Sequence, residues 1–361
     1  MISYVLTKGK VLRIGTRESQ LAVWQATTVQ DLLKKAGCDS ELVYIKSEGD
    51  VDTVTPLYEL GVQGVFTKTL DAALLSGRID LAVHSMKDVP TAMARGIRQA
   101  AVLERASYKD ILVYKCEEDL ALMEVDNRLA TTDNRTSGAV PPSDSSHPSS
   151  VIGHPSSVIP PRSSVIGGRL TVATSSIRRI AQWLNRYPGH RIENLRGNVN
   201  TRLRKLEESN WNAAIFAAAG LERIGLRPAN SIDLDWMLPA PAQGAIMVVC
   251  RVEDEETLEA CRTFNHEHTA LCAGIERDFL RTLLGGCSTP ISALAQIKEG
   301  QVYLKGNILS PDGKMKAEVE RTAPLAEAAA LGVKAAGELL QNGGTEIVEQ
   351  IRQKDIPHDK A

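Results

Sequence analysis

Strand-like and helix-like stretches alternate from the N-terminus to about Pro90, and that alternation sets the fold class. Val11 to Ile14 reads as a strand, and Thr16-Arg17-Glu18-Ser19 is a polar turn with helix-capping residues. A helix of about five turns follows, from Gln20 to Ala36, with Leu21, Trp24, Val29 and Leu32 at core spacing and Gly37 as its stop. Glu41 to Lys46 is the next strand, and a loop with Gly49-Asp50 leads to a second helix near Thr67 to Leu75, stopped by Gly77. Asp80 to His84 is a third strand, running into Ser85-Met86-Lys87-Asp88-Val89-Pro90. Such alternation predicts βαβ units, a parallel sheet, and ligand sites at the carboxyl ends of its strands.

The rhythm returns later. Leu170 to Ala173 reads as a strand, Thr174-Ser175-Ser176 as the start of a helix capped by Ser175 or Ser176 and running through Leu184, and Asn212 to Ala218 as another strand. Ala245 to Arg251 reads as a strand that returns to the first sheet. From about Glu267 the pattern is helix, glycine loop, strands at 291–297 and 301–309, and an alanine-rich helix over about 325–341. The expectation is an α/β protein of two α/β domains and a smaller α+β domain. Domain 1 comprises residues 1–104 with 243–265, domain 2 residues 105–242, and domain 3 residues 266–361. Domain 2 carries a low-complexity insert over 131–168, where His147-Pro-Ser-Ser-Val-Ile-Gly is echoed at His154 and Ser163. Its poverty in apolar residues predicts a mobile surface loop.

Bulk properties exclude several classes. A net charge of −2 and 4% aromatics argue against a nucleic-acid binder, by charge and by stacking surface alike. The cysteines at 38, 116, 250, 261, 272 and 287 form no Cys-x-x-Cys and no zinc spacing, so no metal site is expected and reduced thiols in a cytoplasmic setting fit best. Met1 to Lys10 shows no apolar core of a secretion signal, and no apolar run approaches the roughly 18 residues that span a membrane.

Cationic residues recur where strands end and helices begin: Arg17 beside Ser19, Arg178 and Arg179, Arg196 before Gly197, Arg202, and Arg223 after Gly220. Arginine in a first helical turn opposes the macrodipole. A repeated exception points to an anion held by helix amides and guanidinium forks, hence to a polyanionic ligand. The phosphate-binding glycine motifs of nucleotide sites are missing, so carboxylates are favoured over nucleotides. Amid these cations stands Asp88, next to Lys87. It can steady a developing cation or pass protons, or it can serve only as a turn former before Pro90. His84 reads as the end of a buried strand. Farther on, a helix from about Ala270 runs into Leu284-Gly285-Gly286-Cys287-Ser288-Thr289-Pro290. The glycines free the backbone, and Cys287 is either a small buried residue or a sulfur open to close approach.

Six motifs in order resemble the porphobilinogen deaminase (hydroxymethylbilane synthase) family over nearly the whole chain outside the insert. They are Ile14-Gly-Thr-Arg-Glu-Ser-Gln-Leu-Ala, Val83-His-Ser-Met-Lys-Asp-Val-Pro, Thr174-Ser-Ser-Ile-Arg-Arg, Leu195-Arg-Gly-Asn-Val-Asn-Thr-Arg-Leu, Ala242-Gln-Gly-Ala and Leu284-Gly-Gly-Cys. The resemblance implies two domains like those of periplasmic binding proteins and a third that bears the cofactor. It implies a dipyrromethane cofactor in thioether linkage to Cys287. It also implies a monomeric transferase of tetrapyrrole and heme biosynthesis that joins four porphobilinogen units with loss of ammonia and hydrolyses off the linear product. By the same resemblance Asp88 serves the pyrrole nitrogens and the cations formed there. Arg17, Ser19, Ser85, Lys87, Thr174, Ser176, Arg178, Arg179, Arg196, Arg202 and Arg223 line the cleft and hold carboxylates.

Three positions depart from the family pattern: Gln63 where lysine is common, Thr69 where glutamate is common, and Lys109 where arginine is usual. The insert is expected to leave the site intact. Two other readings compete. A non-catalytic carboxylate-binding module of the periplasmic-receptor type would predict a secretion signal and give Cys287 no role. An RNA-binding basic helix over Arg196 to Lys205 would predict steep salt dependence.

Overall fold

The computed structural model describes residues 10–46, 67–119, 170–283 and 289–354. The Gly49-Asp50 loop, Gln63, the 131–168 insert and Leu284 to Ser288, with Cys287, lie outside these residues.

Strand β1 (Leu12–Thr16) pairs in parallel with β2 (Ser40–Tyr44) and with β3 (Leu81–Ser85). Strand β10 (Ile246–Arg251) runs antiparallel between β3 and β4 (Ile97–Val102), giving the order β2-β1-β3-β10-β4. The expected return of this late segment to the first sheet is therefore found. Alternate residues of β10 face opposite sides: Val248 joins the core with Leu12, Ile14 and Val83, while Met247 and Val249 join the core with Leu70 and Leu74. Each face needs a helix. One is α1 (Gln20–Lys35), which buries Ala26, Val29 and Leu33, with Ser19 as N-cap accepting from the Ala22 amide and Lys34 and Lys35 in its last turn. The other is α2 (Lys68–Leu75), with Leu70, Ala73 and Leu74 inward.

The second sheet repeats this plan in the order β7-β6-β8-β5-β9. Its strands are β5 (Asp110–Tyr114), β6 (Thr171–Ala173), β7 (Arg191–Glu193), β8 (Ala213–Ala217) and β9 (Ser231–Asp233). Here β6, β7 and β8 are parallel and β5 runs antiparallel beside β8. The chain thus crosses between the sheets twice, once over 103–109 and again over 234–245. The crossings touch where the Ala106 amide donates to Gly244 O at 3.1 Å.

A smaller domain packs helix α7 (Glu267–Leu283) on the antiparallel sheet β11 (Ile291–Lys298), β12 (Gln301–Leu309) and β13 (Lys316–Pro324). Cys272, Ile275, Phe279 and Leu283 recur at helical spacing and all lie in its core. Phe279 presses onto Gly306, where an added Cβ would sit 2.4 Å from the ring. The two α/β sheet domains and the smaller α+β domain expected from the chain are what the structure has.

Three local expectations need correction. Of Leu21, Trp24, Val29 and Leu32, expected at the core of α1, only Val29 is buried; Trp24 is exposed and Leu21 and Leu32 are half-buried, because the helix turns Ala26 and Leu33 inward with Val29. The alanine-rich stretch over 325–341 is not one helix. Pro324 leads into a 3-10 segment, Leu325–Ala330; helix α8 then spans Leu331–Leu339, and a kink with Gly343 at φ 94° precedes helix α9 (Thr345–Lys354). Nor does a serine side chain cap helix α3 (Ile177–Arg186). Ser176 holds the cap position without a side-chain bond, and the Ser175 hydroxyl donates instead to Leu195 O at 2.9 Å. The hydroxyl is drawn to the segment that follows β7.

Candidate active site

The carboxyl ends of parallel strands from both sheets deliver the cationic residues. From the first sheet come Arg17 after β1, and Ser85, Lys87 and Asp88 at the end of β3, where Met86–Asp88 form a 3-10 turn. From the second come Thr174 after β6 with Arg178 and Arg179 in α3, and Arg196 after β7. Arg202 lies in helix α4 (Val199–Glu208), which Asn198 caps by accepting from the Thr201 amide at 2.9 Å. Arg223 directly follows helix α5 (Ala218–Glu222).

These groups feel one another electrostatically across the two sheets. Burial pushes Lys87 down to about 8; Asp88 opposes that shift, and Arg179 and Arg178 reinforce it. Arg202 is pushed down to about 10 by burial, with Arg179, Arg196 and Arg17 adding repulsion and Asp88 offsetting it. Lys87 from the first half and Arg202 from the second therefore share the field of Asp88, with Arg179, Arg196 and Arg17 close enough to repel Arg202. A crowd of half-buried cations is stabilised by an incoming anion. His84 is buried and pushed down to about 4 by burial and by Arg17, so it is neutral near pH 7 and fits the end of a strand.

Arg178 and Arg179 meet an anion of the protein's own. Arg178 donates from Nη2 to Asp110 Oδ2 at 2.7 Å, and Arg179 donates from Nη2 and Nε to Oδ1 at 2.7 and 3.1 Å. The first-turn arginines that the sequence leaves without an acid are answered by Asp110, on a different strand. Arg178 Nε is buried with no hydrogen-bond partner. Arg223 donates from Nη2 to Gly244 O at 2.7 Å, with its guanidinium 5.7 Å from the Trp24 ring centroid, so it spans the two halves. Nearby, Asn200 Nδ2 donates to Gln20 Oε1 at 3.0 Å. Ser19 spends its hydroxyl on the α1 cap, and the Thr174 hydroxyl accepts from the Ser176 amide at 3.3 Å.

Sequence reading missed three residues that organise this set: Asp110, Gln243 and Gln25. Gln243 donates from Nε2 to Asp110 Oδ1 at 2.9 Å and to Tyr108 O at 2.8 Å, and its Oε1 accepts from Lys87 Nζ at 3.3 Å. Gln25, buried in α1, donates to the Ser85 hydroxyl at 2.9 Å. A signal existed for both Asp110 and Gln243: an acid opening the apolar run Asp110-Ile-Leu-Val-Tyr, and a glutamine in Ala242-Gln-Gly-Ala. Lys109 answers the missing arginine fork by bridging Asp233 Oδ2 and Asp235 Oδ1, each at 2.7 Å. The Thr69 hydroxyl is buried without a hydrogen-bond partner.

A polycarboxylate suits this donor set, in which several guanidiniums, an ammonium and an orphaned buried Nε lie around only two carboxylates, Asp88 and Asp110. Among the described residues there is no cluster of three or more metal-ligating side chains, and no helix is long and apolar enough to cross a membrane.

Comparison with known proteins agrees with the geometry. The family model described as "Porphobilinogen deaminase, dipyromethane cofactor binding domain" matches residues 12–141 and 160–259. A second, "Porphobilinogen deaminase, C-terminal domain", matches 270–341. The stretch skipped by the first lies within the low-complexity segment. The porphobilinogen deaminase of Pelotomaculum thermopropionicum is 38% identical over 95% of this chain and 98% of its own length. Those of Pelobacter propionicus and Geotalea uraniireducens are 37% and 36% identical, over 96% and 97% of this chain and 98% of each relative. With both family models matched across cleft and third domain, and with relatives aligned over nearly their full length, the chain belongs to the porphobilinogen deaminase family.

Proposed function

We propose that this chain is a hydroxymethylbilane synthase, a transferase that condenses four porphobilinogen units head to tail and releases the linear tetrapyrrole by hydrolysis. The observation that supports it most is the convergence of cations from both sheets on Asp88, in a chain whose cleft matches the cofactor-binding domain of the family. Dipyrromethane bound through Cys287 supplies the pyrrole primer that each condensation extends with loss of ammonia.

The protein's own residues bind, orient and hold charge. Arg17, Lys87, Arg196 and Arg202 attract the acetate and propionate groups, and the Ser85 and Thr174 hydroxyls fix their orientation. Arg178 contributes through Nε, while its other nitrogens and Arg179 keep Asp110 in place. Gln243 ties that buried anion to Lys87 and so sets where the ammonium points. Asp88, partly exposed at the end of β3, accepts hydrogen bonds from pyrrole N–H groups and offsets positive charge at the reacting carbon, as a carboxylate held in place can. Ser19, Ser176 and Arg223 complete the cleft wall, the last by joining its two halves. The non-catalytic carboxylate-binding reading leaves the third domain without a task and is set aside. The chain is read as a cytoplasmic monomer, with domains over 1–104 with 243–265, over 105–242, and over 266–361.

The test is intact mass, compared between the full-length protein and a Cys287→Ser variant. A mass excess of two pyrrole units on the wild type and none on the variant is expected. A wild type that stays unmodified after incubation with porphobilinogen would sink the proposal.

A further inference from the structure

The turn that presents Lys87 and Asp88 is gripped from the third domain. Arg277, on helix α7, donates from Nη1 to Val89 O at 2.7 Å and to Met86 O at 3.4 Å, and from Nη2 to Pro90 O at 2.6 Å. These are carbonyls of the 3-10 turn and of the two residues after it. The segment has left the sheet, and Pro90 has no N–H with which to join another ladder. Its internal fastening is the Val89 amide donating to Met86 O at 3.2 Å, and the Met86 amide donates to Ala245 O at 3.0 Å.

Helix α7 is itself held in rotation. The neighbouring residue, Glu276, is wholly buried and accepts from Arg105, Ala242 N and Ala295 N. The arm reaching the turn therefore starts from a fixed point. The same helix ends at Leu283, four residues before Cys287 in the chain.

We infer that Arg277 is a positioning residue for Asp88: its planar fork fixes the Met86–Pro90 carbonyls, and through them the carboxylate, relative to the helix that leads to Cys287. The inference rests on the reading of Asp88 given above. Lysine is a poor substitute, because one ammonium at the end of a flexible stem cannot reproduce a fork aimed at three carbonyls. A displacement of about 1 Å at a reacting group is enough to lower turnover by roughly a hundredfold.

The experiment uses the full-length protein and its Arg277→Met, Arg277→Lys and Asp88→Asn variants. Hydrogen–deuterium exchange is followed in peptides covering 81–93 and 267–283, beside kcat and KM for porphobilinogen consumption. For Arg277→Met, exchange in 81–93 rises about tenfold or more with 267–283 unchanged. Its kcat falls by about tenfold to a hundredfold while KM stays within about twofold, and Arg277→Lys falls between. Exchange in 81–93 that matches wild type overturns the inference. So does exchange that rises equally in α7, since that marks a structural role alone. Should Arg277→Met fail to fold, the same two outcomes are read from Arg277→Lys. Asp88→Asn separates the two layers: full turnover there removes the reading of Asp88, while the exchange data still report the hold of Arg277 on the turn.

Discussion

Arg105 grips Glu276 with both ends of its guanidinium, Nη1 to Oε1 at 2.6 Å and Nη2 to Oε2 at 3.0 Å, across 171 residues of chain. Arg105 lies on the first crossing between the sheets, and its Nε donates to Gln243 O on the second at 2.7 Å. The buried carboxylate also accepts from the Ala242 amide at 2.6 Å and the Ala295 amide at 2.7 Å. One side chain thus ties both crossings to the third sheet.

Removing that carboxylate strands a guanidinium and two amides in the interior. Glu276→Leu is expected to cost about 3–5 kcal/mol of stability, read by urea unfolding. Adding Arg105→Met recovers only part, because the Ala242 and Ala295 amides still lack an acceptor. A loss below about 1 kcal/mol for Glu276→Leu would show the hub to be incidental.

Asp110 governs stability in acid. Burial works to raise its pKa, but Arg178 and Arg179 outweigh that and hold it down at about 2. A carboxylate depressed in the folded state contributes stability above its unfolded value near 3.9, and that stability is lost as pH falls towards 2. The shift corresponds to roughly 2–3 kcal/mol. Asp110→Asn should flatten the decline of unfolding free energy between about pH 5 and 2. A residual decline remains from Asp80, where burial is likewise outweighed by Arg13 and Arg251 and the pKa is about 2. A variant with the acid dependence of the wild type would refute the assignment.

Lys87 sets an alkaline limit. Its pKa near 8 means that the ammonium is charged below that pH and neutral above it. The kcat/KM for porphobilinogen, which reports on groups of the free enzyme, should fall as pH rises through about 8. Lys87→Arg keeps its charge over this range and should lose that break, whatever its absolute rate. The same break in both proteins would move its origin elsewhere.

Gly244 is the point where the crossings meet. Its φ is +87°, and an added Cβ would lie 2.6 Å from Ser107 O and 2.8 Å from Ala106 O. Gly244→Ala therefore combines left-handed strain of about 1–2 kcal/mol with a backbone clash, and should cost well over 2 kcal/mol in a thermal or urea melt. Gly225→Ala is the control: φ is +65° with nothing within 4 Å of the new Cβ, so only the strain applies. Equal costs at the two sites would show that the crossings separate freely.

Strong local periodicity made part of this legible. Helix α1 follows from a serine cap and a terminal glycine within one stretch, although its inward face is Ala26, Val29 and Leu33 rather than the larger Leu21, Trp24 and Leu32, and the return of β10 to the first sheet follows from an apolar run late in the chain. Strands β7 and β9 are three residues each, and β4, Ile97-Arg-Gln-Ala-Ala-Val, lacks alternation, so local pattern could not reveal them.

The α/β class and the family motifs can be read from the chain alone, because each rests on neighbours in sequence. Which cations are answered from within the protein depends on the tertiary structure. Asp110 meets Arg178 and Arg179 from another strand, Gln243 reaches Lys87 across 156 residues, and Arg277 holds the Asp88 turn from a different domain. Electrostatic and hydrogen-bond partners are chosen by distance in space, and nothing in local propensity encodes a contact between segments so far apart.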